Sequence, residues 1–485
     1  MQNLTKNLSG LQRLPALSIS LAVALALSAC AAVGPDYQRP QLATETNWQA
    51  PAGTASANAD LLSWWRQFDD AVLNQLLDEA LQNNQDLVLA AGRVEEARAL
   101  AAGAKANRYP SVDASLNASR TKLSETAGKV GEGKSPYGKD FQLGLTASYE
   151  VDVWGKLSRA DEAARARFMS SQFNQISVKT SLYSSVVQAY FNLRAADAQL
   201  ELAQQTLQTR QQHLALQQKR RQAGSIGEAD LHLAESEAAA TEVSVAQAQQ
   251  TQANWESALS LLLGRSPVAI AQPQIARGKN LQQLFARAGL PADLPSDVLQ
   301  RRPDLRAAEQ ALIAANADIG QAKAQYFPSL KLTASTGYES NVFENLLKPS
   351  SWLWNLGGNL LQPVFRAGAI DAVVAGAEAR KQQALAQYVQ AVQGAFRDVH
   401  DALTGVAANQ QIYLASQKRV SALQDTQRIV QSRYQQGYSG YIDVLNAQRD
   451  LAQVQTSLLE AQRAHLNATV SLYKAVGGGW DQQVQ

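Results

Sequence analysis

Phe141-Gln142-Leu143-Gly144-Leu145-Thr146-Ala147-Ser148-Tyr149-Glu150-Val151-Asp152-Val153 alternates without a break, apolar at every odd position and polar or glycine at every even one. A period of two over that length is the mark of a β-strand with one apolar face. Val112, Ala114, Leu116 and Ala118 alternate with Asp113, Ser115, Asn117 and Ser119 in the same way. So do Leu330, Leu332, Ala334, Thr336 and Tyr338 with Lys331, Thr333, Ser335 and Gly337. Trp352 to Phe365 is less regular, and Gly357-Gly358 is read as a bend. The expected strands are 111–120, 141–154, 329–339 and 352–365. Their length, and aromatics toward their ends, fit a transmembrane β-barrel. A soluble antiparallel sheet with one solvated face has the same period.

Around these strands the sequence is helical and duplicated. Residues 70–108 and 296–326 are rich in strong helix formers and end at Tyr109-Pro110 and Phe327-Pro328, where proline stops a helix. The runs 158–222, 228–264, 370–435 and 441–476 contain no proline, and the longer ones reach about 100 Å at 1.5 Å per residue. Each long pair turns at a glycine-bearing segment, Ala223-Gly224-Ser225-Ile226-Gly227 or Gln436-Gly437-Tyr438-Ser439-Gly440. Residues 81–111 match residues 299–329 without a gap at 12 of 31 positions, so the chain holds one unit twice. The expected organisation is a first repeat over 30–264 with hairpin 158–264, and a second over 299–477 with hairpin 369–476. A connector over 265–298 joins them, and a tail over 478–485 follows.

Composition excludes several classes. Basic residues number 44 and acidic ones 42, so no bulk charge favours nucleic acid. Mean hydropathy is −0.25, too polar for a bundle of membrane helices. One cysteine and four scattered histidines give neither an intrachain disulfide nor a cysteine-based zinc site. That cysteine, Cys30, follows a basic start (Lys6, Arg13), a short apolar stretch from Leu14 to Leu27, and Leu27-Ser28-Ala29. The pattern reads as a lipoprotein signal peptide over 1–29 with Cys30 as the lipidated new N-terminus. Ala31 rather than an aspartate follows, which implies sorting to the outer membrane. The lipobox and the strand lengths together favour the barrel over the soluble sheet.

Four strands cannot close a barrel, since the smallest that membranes use have about eight. Two copies would give eight strands filled by side chains; three would give twelve and a lumen. Here the residues carry a resemblance. The lipobox, Val33-Gly34-Pro35-Asp36-Tyr37-Gln38-Arg39-Pro40, Trp64-Trp65 with Phe68-Asp69, Arg302-Pro303-Asp304-Leu305 and Gly477-Gly478-Gly479-Trp480 resemble the TolC-like outer-membrane efflux factors, in their NodT/OprM-type lipoprotein branch.

The resemblance implies an α+β membrane protein, a homotrimer with a 12-stranded barrel continued by a long α-helical periplasmic barrel. It implies an equatorial region from parts of 41–80, 265–298 and the tail. It also implies an exit duct in the outer membrane, partnered by a periplasmic adaptor and an inner-membrane transporter of the resistance-nodulation-division (RND) type. No catalytic residue, metal or cofactor is expected beyond the lipid on Cys30. In such a family the second hairpin tip carries acidic rings, matched here by Asp443 and Asn446, with Ile442 at an apolar ring position and Tyr434 at a tip tyrosine. The family latch of a first-tip acid with a second-tip arginine finds its acid at Asp230, but Ser439 stands where the arginine would be. Asp230 and Asp443 also suit helix starts electrostatically. Two other readings stand beside this one: the outer-membrane channel of a type I protein exporter, and a non-conducting periplasmic coiled-coil lipoprotein.

Overall fold

The computed structural model describes residues 32–41, 55–56, 61–127, 135–291 and 301–480. The signal segment 1–29, Cys30, residues 292–298 of the connector and residues 481–485 of the tail lie outside the described residues. The described chain forms two compact units, and the two 67-residue helices, 156–222 and 369–435, run through both.

The first unit takes in residues up to Gln41, Val94–Ser171 and Ala308–Tyr388. Its centre is a four-stranded antiparallel sheet of β1 (Ser111–Lys122), β2 (Tyr137–Val151), β3 (Ser329–Ser340) and β4 (Trp352–Leu361), hydrogen-bonded in the order β1-β2-β3-β4. The register runs through all three pairings without a bulge, so the alternation keeps one apolar face: Leu116 lies opposite Leu143, Leu143 opposite Tyr338, and Tyr338 opposite Trp352.

Several expected boundaries are corrected. The first and third strands run on to Lys122 and Ser340; the second starts at Tyr137 and ends at Val151, because Val153 N already closes a turn onto Val151 O at 2.9 Å. The fourth stops at Leu361 rather than 365, since Pro363 has no N–H to give a ladder. Gly357 and Gly358 make no bend; they pair in register with Thr333 and Leu332. β1 and β4 remain edges.

The N-terminal segment packs on this unit. Val33 N donates to Trp154 O at 3.0 Å, Asn316 Nδ2 to Pro35 O at 2.7 Å, and Arg159 pairs with Asp36 at 2.7 Å. Tyr37 and Arg39 both reach Glu309, and burial with that carboxylate raises the Tyr37 pKa.

The second unit takes in Leu42–Arg93, Gln172–Ala307 and residues from Val389 on. The expected single helix over 70–108 is two, α1 (Ala71–Asn83) and α2 (Gln85–Ala106). Asn84 breaks it: its backbone is extended, and its side chain accepts from Asp86 N at 2.9 Å to start α2. A core here gathers Trp64, Phe68, Leu73, Leu77, Tyr190, Phe191, Leu259, Leu284 and Tyr473. Trp64 stacks on Tyr473 at 5.3 Å, and Phe68 meets Phe191 edge-on at 4.8 Å. Gly479 N donates to Leu61 O at 2.7 Å and Trp480 Nε1 to Arg301 O at 2.8 Å. Burial pushes the Tyr473 hydroxyl up to about 12.

The helical hairpins are α3 (Lys156–Gln222) with α4 (Glu228–Leu262), and α6 (Ala369–Gln435) with α7 (Tyr441–Ala475); α5 (Pro303–Lys323) precedes β3. Each hairpin pairs 67 residues with 35, and every boundary of the second is that of the first shifted by 213. The duplication is thus a duplication of structure, to the residue, in its helical half.

Candidate functional site at the hairpin tips

Both tips use one device. Gly224, at φ 70°, lets Ser225 N reach Arg220 O at 2.9 Å and sends its own N–H to Arg221 O at 3.0 Å. Gly437, at φ 81°, does the same with Tyr438 N to Arg433 O at 2.8 Å and its own N–H to Tyr434 O at 3.0 Å. These are left-handed helix ends, which a residue with a Cβ adopts at a cost of about 1 kcal/mol.

Beyond the second tip, α7 shows two faces. Tyr441, Val444, Leu445, Ala447 and Gln448 are buried, whereas Ile442, Asp443, Asn446 and Arg449 are exposed. The candidate gate residues Ile442, Asp443 and Asn446 therefore share one uncovered stripe, as the i, i+3 and i, i+4 spacings require. Asp443 also does what a first-turn acid does: Gly440 N donates to its Oδ2 at 3.1 Å.

Tyr434 faces the other way, toward the first hairpin. Its hydroxyl accepts from Arg220 Nη1 at 2.6 Å and from Gln217 Nε2 at 3.2 Å, and its ring lies 5.8 Å from that of Tyr441. Asp230 sits half-buried in the first turn of α4. No cation stands at 439 to meet it, and the buried Ser439 Oγ has no hydrogen-bond partner among the described residues.

The structure adds a group the sequence reading missed. Arg210 of α3, Glu237 of α4 and Gln448 of α7 are all buried. Arg210 donates to Gln448 Oε1 and lies 3.8 Å from Glu237, whose Oε1 accepts from Arg449 Nε at 2.9 Å. Two guanidinium groups thus share one carboxylate between the hairpins. Burial pulls the Arg210 pKa down, and the Glu237 hydrogen bond pushes that of Arg449 up. His213 lies alongside, 3.4 Å from Gln448 Nε2, and burial, then the Arg210 charge, lower its pKa. A sequence signal existed. At the 213-residue shift Arg210 corresponds to Leu423, which packs in an apolar cluster with Val420, Leu451 and Val454.

Among the described residues no group of three or more His, Cys, Asp or Glu is placed to hold a metal, and no helix is long and apolar enough to cross a membrane. What the chain offers a membrane is the sheet, whose two edges need further copies to close.

Known proteins bear on that sheet directly. The family model described as "Outer membrane efflux protein" matches residues 76–265 and again 294–478, one match per repeat. The chain is 36% identical to the cation efflux system protein CusC of Escherichia coli O6:H1 over 96% of this chain and 100% of that one. It is 35% identical to the solvent efflux pump outer membrane protein SrpC of Pseudomonas putida, over 96% and 98%. The solved CmeC outer membrane channel of Campylobacter jejuni superposes with a TM-score of 0.87 at 27% identity, covering 94% of this chain and 96% of that one. The four strands are one chain's share of a trimeric barrel. The chain belongs to the outer membrane efflux protein family.

Proposed function

We propose that the trimer is the exit duct of a tripartite pump, fed by an RND-type inner-membrane transporter through a periplasmic adaptor, and that its hairpin tips form the periplasmic gate. One observation carries the gate: Ile442, Asp443 and Asn446 are left uncovered on one stripe of α7 beside a tip. Repeated three times, that stripe lines a constriction. The relatives' names favour efflux over protein export, but one is named for cations and the other for solvents. On this reading cargo is chosen at the pump and the duct carries out no chemistry.

Three Asp443 carboxylates about 6–8 Å apart would repel by roughly 2–3 kcal/mol per pair at an effective dielectric near 20. Such a ring attracts cations. In planar bilayers, Asp443→Asn is expected to lower cation preference and block by multivalent cations. Ile442→Ala or Tyr434→Ala is expected instead to raise resting conductance. An Asp443→Asn channel with unchanged preference and block would reduce Asp443 to its helix-start role.

The His213 pKa is lowered in the packed arrangement of the tips, which we assign to the closed gate, and this gives a pH dependence of definite sign. A channel whose open form hydrates His213 binds a proton more readily open than closed. Closure is then fully supported above the ordinary histidine value of about 6.5 and weakens as pH falls below it. Resting conductance should rise between pH 7 and pH 5, and His213→Gln should flatten that rise. An unaltered pH profile in His213→Gln would place the titrating group elsewhere.

We further propose that residues 1–29 are removed and Cys30 acylated, on the strength of Leu27-Ser28-Ala29-Cys30. Mass spectrometry of the mature N-terminus should find acyl chains on Cys30; an unmodified terminus at another residue would refute it. Cys30→Ser behind a different cleavable signal should keep part of the transport activity, because the barrel supplies membrane attachment of its own.

A further inference from the structure

The sheet's apolar face carries no charge from Val112 to Ala118 on β1, Phe141 to Val151 on β2, Leu330 to Tyr338 on β3 or Trp352 to Leu360 on β4. In a membrane barrel that face meets lipid. Ten residues of β2 at about 3.3 Å each, tilted near 40°, span roughly 25 Å, the height of the hydrocarbon band. Phe141, Tyr338 and Trp352 sit at its upper end, next to residues 123–127, 135–136 and the loop 341–351. This end of the strands is opposite the helical connections, hence outside the cell.

Just beyond those aromatics, the same face becomes basic. Arg120 and Lys122 of β1 and Lys139 of β2 follow the outward alternation, and all three are exposed. Arg120 lies directly opposite Lys139 in the register, and Lys122 opposite Tyr137. The Arg120 guanidinium carbon and Lys122 Nζ stand 5.6 and 5.7 Å from the Tyr137 ring centroid, which places all these groups on one side of the sheet. Like charges directly opposite in a strand pair destabilise it. Nearby acids do not relieve them. Asp140 and Glu339 fall on the lumen face, where Asp140 accepts from Gln142 Nε2 at 2.8 Å. Among the described residues, none of the three cations is in an ion pair.

We infer that Arg120, Lys122 and Lys139 form a binding site for the phosphate groups of an acylated, phosphorylated lipid in the outer leaflet, one site per chain. The depth decides the partner. The acyl chains lie along Leu116 and Leu143, and the headgroup meets the cations above the aromatic belt. A guanidinium offers phosphate paired donors and the ammonium groups add charge, while Tyr137 holds two of the cations in place.

The test is native mass spectrometry of the detergent-purified trimer with hexa-acylated bisphosphoryl lipid A, its dephosphorylated form, and inorganic phosphate as competitor. The trimer should retain the bisphosphoryl lipid, and Arg120→Gln/Lys122→Gln/Lys139→Gln should hold it roughly a hundredfold more weakly, as three surface cations are worth. Lys331→Gln, on the other face and at the far end of β3 opposite Glu150, should change nothing. Equal retention by the triple variant, or of the dephosphorylated lipid by the wild type, would overturn the site. If the triple variant does not assemble, the comparison of the two lipids on the wild type decides alone. Displacement of the lipid by millimolar phosphate would mean a free-anion site and would equally defeat the assignment.

Discussion

Glu237→Ala should open the resting channel more than any substitution on the exposed stripe of α7. Glu237 is 8% exposed and Arg210 4%, and the carboxylate compensates both Arg210 and Arg449. Removing one partner of a buried ion pair costs about 3–5 kcal/mol, because the other charge stays buried. Arg449 is half-exposed and water screens it, so Arg210 carries most of the penalty. On the proposed reading that this packed arrangement is the closed gate, the penalty falls on it, since Gln448 of α7 contacts Arg210 here; once α7 moves away, water solvates the guanidinium. A shift of about 3 kcal/mol moves a two-state equilibrium roughly a hundredfold. Single-channel recording should therefore show a resting open fraction raised by one to two orders of magnitude.

The double variant separates this electrostatic account from a loss of packing. Arg210→Leu places at 210 the residue that the second repeat has at 423, and it removes the buried charge that Glu237→Ala strands. Glu237→Ala/Arg210→Leu should be less open than Glu237→Ala alone, a coupling well outside additivity. If the two substitutions simply add, the network is packing and its charges do not hold the gate.

The sheet and the hairpins were legible in the sequence because each rests on a repeated local pattern. Alternation from Phe141 to Val151 is a property of one strand, and the proline-free runs end at Gly224 and Gly437, whose backbone demands are local. The errors came where a single residue overrides a pattern. Asn84 caps a new helix inside an uninterrupted helical composition, and Pro363 ends a strand that hydropathy would continue. Composition suggests a bend at Gly357 and Gly358, yet a paired neighbour on β3 keeps them straight.

Within the candidate site, Ile442, Asp443 and Asn446 could be placed on one face by spacing alone. Arg210, Glu237 and Arg449 could not, since they sit on three helices and are brought together only by the packing of the two hairpins. Periodicity reports a residue's own helix and is silent on the opposite one. Only the break in the duplication, arginine at 210 against leucine at 423, pointed there.

Asp70→Ala is expected to give the largest loss of stability among single changes in the second unit. Asp70 is 3% exposed and uses both oxygens. Oδ1 accepts from Val72 N at 2.9 Å and Leu73 N at 3.2 Å, starting α1; Oδ2 accepts from the Tyr190 hydroxyl at 2.8 Å and from Lys279 N at 2.9 Å. The Tyr190 hydroxyl in turn accepts from Gly278 N at 3.0 Å. One carboxylate thus ties α1, α3 and the segment after α4 together. Losing a helix cap costs about 1 kcal/mol, and each buried donor left without a partner costs about 1–3 kcal/mol more. With the Tyr190 hydroxyl and Lys279 N both stranded, the total comes to about 3–7 kcal/mol. Tyr190→Phe keeps the cap and should cost about 1–2 kcal/mol, the price of a smaller break in the same network. Asp69→Asn removes an exposed carboxylate that pairs with Lys279 Nζ and, at 3.6 Å, with Arg287, and it keeps a residue that tolerates the left-handed backbone found there, so it should change little. Limited proteolysis of the detergent-purified trimer, with the fraction remaining trimeric on heating, would rank the three. The expected order is Asp70→Ala well below Tyr190→Phe, with Asp69→Asn near wild type and first cuts of Asp70→Ala falling around Gly278. An Asp70→Ala trimer as resistant as wild type would show that the segment after α4 is held by its apolar anchors Leu281 and Leu284 rather than by the carboxylate.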